Sequence, residues 1–209
     1  MTSDRKTALH FVDEYSLEQL TGPLFSQFYN PIELVKFRSI SLLGKVAAGT
    51  EPVSAERVRI LMRKLMWYLN EESGGMGWGA PEAMGEVMVN CERMGLEFGS
   101  ILVSYLDPDG NFLEHESLQR GVLWGIGTLV EKVMPYDEDA LLELITPFLG
   151  SEDAVKRGFA ARAVLNMGVD PDSVPLHLLQ SDGSVIDLFN GWHFKRTSIA
   201  RMVTERKEE

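Results

Sequence analysis

The chain has a single cysteine among its 209 residues, so an internal disulfide is excluded. It also lacks any apolar run long enough to cross a bilayer, and its first 17 residues lack the apolar core of a signal peptide. These absences predict a cytoplasmic protein without a membrane partner. The cysteine itself, Cys91, lies near Val89 and Met94 in a helical pattern, which favours a small buried apolar group over a nucleophile.

Positive charge is also scarce, since 20 lysines and arginines stand against 31 aspartates and glutamates, for a net charge of -11. A negative surface repels nucleic-acid phosphates and anionic lipids. We therefore expect no nucleic-acid or membrane partner. The predicted partner is a basic or neutral protein or peptide. The one strongly basic run comprises Arg57, Arg59, Arg63 and Lys64. These residues lie on a helix opposite an apolar stripe, which indicates a solvated face.

What the sequence does contain is a series of helical patterns. Segments 33–48, 117–133 and 153–168 each place a basic residue early and then apolar or small residues at helical spacing. The last two share an Arg-Gly pair, Arg120-Gly121 and Arg157-Gly158, 37 residues apart. A second apolar segment follows each of the three. A helix pair repeated at this spacing buries its apolar faces only by stacking on its neighbours.

This pattern resembles the HEAT-like repeat family, whose first helix often reads Val-Arg-x-x-Ala-Ala-x-Ala-Leu-Gly. The matching residues are Val35, Lys36, Leu42, Leu43 and Gly44 in the first unit and Arg157, Ala160, Ala161, Val164 and Leu165 in the last. The resemblance implies an all-α fold, a right-handed α-α superhelix with about four helix pairs in residues 31–180. We expect residues 1–30 to form an N-terminal helical cap, and residues 1–209 to form one domain.

Residues 184–209 depart from the helical pattern. Two β-prone runs flank Asn190-Gly191, and this pair favours a two-residue type I′ turn because both residues accept positive φ. Residues Ser198 to Lys207 then read as a short amphipathic helix. We expect this β-hairpin and helix to cap the last repeat, since a terminal unit needs a different outer face.

The stretch NEESGGMGWGAPEAMGE, residues 70–86, carries five glycines and four glutamates around one tryptophan. The first repeat exceeds the later ones by about eight residues, a surplus that corresponds to Ser73–Ala80, and such insertions often lie on the binding face. We predict a partly exposed Trp78 in a recognition loop with an acidic rim, formed by Glu71, Glu72, Gly75, Gly77, Trp78, Glu82 and Glu86. The alternative is structural. The glycines let the chain cross tightly between two helices, and Trp78 fills the gap between them.

His115 and Glu116 begin a repeat helix, and we add them to the predicted binding surface. They are similar to the His-Glu dipeptides with which the HEAT-repeat deoxyhypusine hydroxylases hold two irons. That family needs several such pairs, whereas His10, His177 and His193 have no adjacent glutamate. We therefore expect neither a metal nor another cofactor.

The other large apolar side chains fit a core role. Trp67, Trp124 and Trp192 lie in apolar helical or hairpin contexts, so we expect them to be buried. The methionines are expected to fill the core, and the alternative is an adaptable groove for a partner helix.

These patterns favour a protein-interaction scaffold or adaptor that recognises its partner through the Gly/Trp loop. One alternative is a metal-dependent or lyase-type enzyme on the same fold, using His115 and nearby glutamates. Another is a relative of the HEAT-like DNA glycosylases, which would need a basic concave face. No serine or cysteine lies in a recognisable nucleophile motif, so no catalytic residue is assigned.

Overall fold

The computed structural model describes residues 4–70, 77–134, 136–170 and 173–205. These residues are mostly helical, with a two-stranded antiparallel hairpin near the C-terminus, as predicted. The α-helices are α1 (Arg5–Val12), α2 (Leu17–Ser26), α3 (Glu33–Thr50), α4 (Ala55–Asn70), α5 (Ala80–Asn90), α6 (Glu92–Ser104), α7 (Glu116–Leu129), α8 (Glu138–Ile145), α9 (Ala154–Met167) and α10 (Ile199–Glu205). The strands are β1 (Val185–Phe189) and β2 (Phe194–Ser198), and short 3-10 helices lie at Gln27–Tyr29, Thr146–Gly150 and Pro175–Leu179.

Four helices form an inner row, because α3 packs against α5, α5 against α7, and α7 against α9. Behind this row, α4 contacts α3 and α5, and α6 contacts α5 and α7. At the two ends, α1 and α2 pack against α3, whereas α8 and α10 pack against α9. The buried apolar side chains form one cluster that extends from Val12 in α1 to Val203 in α10.

Helix α4 illustrates how the sequence pattern produces this packing. Its buried residues recur at helical spacing and are Val58, Leu61, Met62, Leu65 and Leu69. On the opposite face, Arg57 pairs with Glu18 and Arg59 pairs with Glu97, so the basic run is a solvated face, as predicted. Trp67 is 53% exposed on this helix, and its predicted burial is therefore wrong. It lies two residues from both Leu65 and Leu69, which places it off the buried stripe.

The core contains the other residues that were expected there. Trp124 and Trp192 are buried, and the fully buried methionines are Met62, Met84, Met88 and Met94. Cys91 is also buried, and burial together with the nearby Glu51 raises the pKa of its thiol to about 12. It lies between α5 and α6 rather than inside one helix, as its non-helical backbone angles show.

The helices of the first repeat are longer than those of the second. Helices α3 and α4 have 18 and 16 residues, whereas the equivalent α5 and α6 have 11 and 13. The predicted insertion at Ser73–Ala80 lies partly outside the described residues, because the structure describes this segment only from Gly77 onward. Repeat spacing in a sequence does not separate long helices from long loops.

The turn of the hairpin also differs from the prediction. The N–H of Asn190 donates to the carbonyl of His193 at 2.9 Å, so the two central turn residues are Gly191 and Trp192. Gly191 has φ +90°, and in the described ranges only glycines have positive φ. The Asn190 side chain instead accepts a hydrogen bond from the N–H of His193 at 2.9 Å. A type I′ turn with Asn190 in the left-handed region is thus ruled out.

The hairpin lies along the inner row as well as at its end. Near α9, Arg157 donates to Asp182 at 2.8 Å, just before β1 begins. At the far end of the row, Arg38 of α3 donates to the carbonyl of Trp192 at 3.0 Å. The ring of Phe37 in α3 lies 5.3 Å from that of Phe194 in β2. The hairpin therefore connects the last inner helix to the first, in addition to lying beside the last repeat, where a cap was expected.

Candidate functional site

A cleft of about 360 Å³ lies where the first turns of the inner helices meet the hairpin. Its walls come from α3, α5, α7, α9 and both strands. Its charged lining residues are Glu33, Lys36, Glu82, Arg120 and Asp187, and its aromatic ones are Phe37, Trp78, Phe159 and Phe194. The remaining apolar lining includes Leu118, Val155, Val185 and Ile186. This volume and mixture of apolar walls with a few polar groups are typical of ligand-binding sites.

Two glycines permit the close packing around this cleft. Gly79 precedes α5 with φ +77°, and a Cβ there would lie 3.0 Å from the ring of Phe28. Gly121 lies on α7, where a Cβ would come within 2.6 Å of a carboxylate oxygen of Glu82. The absence of a side chain at Gly121 therefore lets the Glu82 carboxylate lie between α5 and α7.

The wall of the cleft contains a buried ion pair. The ammonium of Lys36 lies 3.4 Å from the carboxylate of Glu82, and their side chains are 16% and 8% exposed. Lys36 also lies 3.7 Å from Glu33, which is mostly exposed. The prediction that Glu82 belongs to a solvated acidic rim is wrong, because it is buried and paired. Removal of Lys36 would leave the buried carboxylate of Glu82 without its ion-pair partner, which is costly.

A second ion pair joins α7 to the start of α9. Arg120 donates to Asp153 at 2.5 Å, and Asp153 caps α9 by accepting from the N–H of Val155 at 2.8 Å. Burial raises the pKa of Asp153, but the hydrogen bonds from Arg120 and Val155 outweigh it and hold this pKa below its ordinary value. The side chain of Arg120 is 40% exposed and lines the cleft, so it presents a positive charge there.

Trp78 lines the cleft and is 44% exposed, in agreement with the partial exposure that was expected. Its ring lies 6.2 Å from the imidazole of His115. The adjacent Gly77 packs near Leu69 and Leu118. An indole that is held by neighbours and still offers nearly half of its surface can contact a bound molecule.

His115 and Glu116 have local roles. The imidazole of His115 accepts a hydrogen bond from the N–H of Ser117 at 3.3 Å and so caps α7. Glu116 pairs with Lys156 at 3.2 Å, and Lys156 also donates to Gln119 at 3.1 Å. Within 4–70, 77–134, 136–170 and 173–205, no three His, Cys, Asp or Glu side chains are grouped to hold a metal ion.

The remaining predicted residues lie elsewhere. Glu71, Glu72 and Gly75 fall outside the described residues. Glu86 does not line the cleft; it is partly buried one helical turn beyond Glu82. Burial and the nearby Glu131 raise the pKa of Glu86 to about 6.

Sequence reasoning missed most of the cleft. Lys36 and Arg120 appeared only as repeat positions, and Asp187 as a hairpin residue. The repeated Arg-Gly pair could have indicated these ion pairs. Arg120 binds Asp153, which precedes α9, and Arg157 binds Asp182, which precedes β1. The convergence of α3 with the hairpin has no such signal, since Arg38 and Trp192, which it joins, are 154 positions apart.

Comparison with known proteins gives a relative but no function. An uncharacterized protein from Archaeoglobus fulgidus is 26% identical over 195 residues, which cover 93% of this chain and 100% of that protein. No family model matches the chain, and no solved structure matches it. None of the helices in the described ranges has the length and apolar character needed to cross a bilayer.

Proposed function

We propose that this protein is an interaction adaptor on a HEAT-like helical repeat, and that it binds a peptide segment of a partner protein in the cleft. The observation that carries this proposal is that Trp78, which is 44% exposed, lines a cleft of about 360 Å³. Exposed tryptophan beside a concave surface is typical of residues that dominate binding energy.

The chemistry of the lining favours a peptide over a small anion or a metal. The pairs Lys36–Glu82 and Arg120–Asp153 place both signs of charge near the cleft, beside aromatic and aliphatic walls. A peptide offers apolar side chains together with polar main-chain groups, so it satisfies both kinds of surface. The net charge of -11 favours encounter with a basic or neutral partner.

The sequential packing of α3, α5, α7 and α9 supports the repeat architecture within this proposal. In a right-handed superhelix of this type, each unit stacks on its neighbours and the inner helices present one continuous surface. The hairpin covers part of that surface and leaves the cleft at the helix N-termini open. A cytoplasmic adaptor remains our proposal for the whole chain.

Photo-crosslinking at position 78 tests the proposal directly. A benzophenone amino acid in place of Trp78 is expected to form a discrete adduct with a partner protein in the source cell. The matched control is the same amino acid in place of Trp67, which is 53% exposed on α4 and does not line the cleft. A binding role for the cleft would be contradicted if no adduct formed at position 78, or if the same adducts formed at positions 78 and 67.

A further inference from the structure

Strand β1 has a free edge that borders the cleft. Among the described residues β1 pairs with β2 alone, so no described strand lies along its other edge. Three consecutive β1 residues line the cleft, namely Val185, Ile186 and Asp187. Because side chains alternate between the two faces of a strand, three consecutive residues border one cavity where the strand edge faces it.

The hydrogen-bond pattern identifies the main-chain groups at that edge. Asn190 and His193 form a hydrogen-bonded pair at the turn, with an N–H to carbonyl distance of 2.9 Å. Hydrogen-bonded and non-hydrogen-bonded pairs alternate along an antiparallel ladder, so every second residue of β1 faces β2. Val185 and Asp187 are the intervening residues, and their N–H and carbonyl groups point away from β2. Within the described part of the chain, no hydrogen bond occupies these four groups.

We propose that the peptide in the cleft binds in an extended conformation, as a third strand paired with β1. This inference rests on the proposed function and adds the binding mode. Main-chain groups at Val185 and Asp187 have the two-residue spacing that an added strand requires. The edge is short and carries a charged residue, which limits pairing with arbitrary strands.

The exposed side chains of β1 define the chemistry of the partner. Asp187 is 45% exposed and already has Arg196 of β2 at 3.2 Å on one side. On an added strand, the residue beside Asp187 is therefore basic, in keeping with the net charge of -11. Val185 is 57% exposed two positions away, so the residue beside it is apolar. The expected partner segment contains a basic and an apolar residue separated by one position.

Amide exchange in the free protein tests the geometry of the edge. The amides of Ile186 and Leu188, which face β2, are expected to exchange slowly. Those of Val185 and Asp187 are expected to exchange at rates typical of exposed strand edges. Equal protection of all four amides in the free protein would overturn the inference, because the edge would already be occupied.

The bound state is tested with a probe peptide selected from displayed linear seven-residue peptides against the whole chain. We expect the selected peptide to carry the basic-x-apolar spacing and to slow exchange of the Val185 and Asp187 amides at least tenfold. Asp187→Pro removes an outward N–H and leaves the ladder to β2 intact, so it is expected to weaken binding at least tenfold. Asp187→Asn keeps that N–H and is expected to weaken binding only a few-fold, by loss of charge.

The outcomes separate this inference from the proposed function. A probe that loses affinity on Trp78→Ala but binds Asp187→Pro normally, without protecting the two amides, would overturn strand addition and leave the cleft as the binding site. Failure to recover any peptide that responds to Trp78→Ala would overturn both. Amide exchange at Ile186 and Leu188 in the Asp187→Pro variant checks that the hairpin is retained.

Discussion

At the scale of single residues, Glu86 is a carboxyl group whose environment opposes its charge. It lies partly buried on α5, and burial and the nearby Glu131 raise its pKa to about 6 from the ordinary 4.5. Hydrogen bonds from Ser41 and Asn90 act in the opposite direction but are outweighed. The native state therefore holds a proton at Glu86 over a pH range in which the unfolded chain has released it.

This raised pKa predicts a pH-dependent gain in stability for Glu86→Gln. Because the native state binds the proton more tightly, wild-type stability falls between pH 4.5 and 6 and stays lower above that range. A glutamine cannot ionise, so the variant should be more stable by about 2 kcal/mol at pH 7 and equal at pH 4. Urea unfolding at both pH values measures this difference.

Glu143→Gln provides the control, since Glu143 is exposed on α8. It should unfold like the wild type at both pH values. A Glu86→Gln variant that is less stable than the wild type at pH 7 would show that the Glu86 charge is well compensated in the native state.

Residue roles were predictable from the sequence only where the local pattern determines the environment. The partial exposure of Trp78 and the burial of Trp124 followed from their neighbours along the chain. The burial of Glu82 did not, because it depends on Gly121 of α7 and Lys36 of α3. A glutamate in the first turn of a helix looks the same in sequence whether another helix covers it or not.

At the scale of elements, the closest contact within the inner row lies between α5 and α7. A Cβ on Gly85 would lie 2.4 Å from the carbonyl oxygen of Gly125, and one on Gly125 would lie 2.5 Å from that of Pro81. Neither obstacle is a flexible side chain, so the backbones themselves set the distance between these helices.

Gly85→Ala should therefore destabilise the protein by about 3 kcal/mol or more, because α5 and α7 must move apart to admit the methyl group. Gly49→Ala in α3 is the matched control, since nothing lies within 4 Å of a Cβ at Gly49. There the change should stabilise by roughly 0.5 to 1 kcal/mol, from the higher helix propensity of alanine. Thermal unfolding of both variants gives the comparison, and equal midpoints would contradict the close helix contact.

The attachment of the hairpin to α9 predicts an acid-sensitive contribution to stability. The hydrogen bond from Arg157 holds the pKa of Asp182 at about 2, below the ordinary 3.8. Stabilisation from a lowered carboxyl pKa is present above pH 3.8 and lost as the pH falls towards 2. Asp182→Asn should thus cost about 1 to 2 kcal/mol at pH 7 and little at pH 2.

Asp187→Asn serves as its comparison, because Asp187 and Arg196 form an exposed pair that should contribute less than about 1 kcal/mol. Denaturant unfolding at pH 7 and pH 2 measures both. Equal losses for Asp182→Asn and Asp187→Asn at pH 7 would argue against a specific anchor at Arg157.

Elements were more predictable than their contacts. Helical periodicity and the β-prone runs located the helices and the hairpin, and they placed α10 within two residues of its observed bounds. The greater length of α3 and α4 was not predicted, because periodicity gives the existence of a helix more reliably than its end. The turn at Gly191 and Trp192 was misplaced, because a glycine with positive φ fits more than one hairpin register.

At the scale of the whole molecule, the hairpin makes this chain differ from a row of units that touch only their neighbours. It begins beside α9 and reaches α3, where Arg38 binds the carbonyl of Trp192 from 154 positions away in sequence. Such a contact has no local sequence signal, and it gives the cleft walls from both the first and the last inner helices. The proposed binding site therefore depends on the complete fold.

The proposed role of the cleft is tested most directly by calorimetric titration of the partner segment identified by crosslinking at position 78. Trp78→Ala should weaken its affinity at least tenfold, whereas Trp67→Ala should leave the affinity unchanged. Because Trp78 is 44% exposed, its truncation should also cost less stability than the roughly 3 to 5 kcal/mol expected for a fully buried tryptophan. Unchanged affinity in Trp78→Ala, or an unfolded variant, would contradict the account and identify Trp78 as a packing residue.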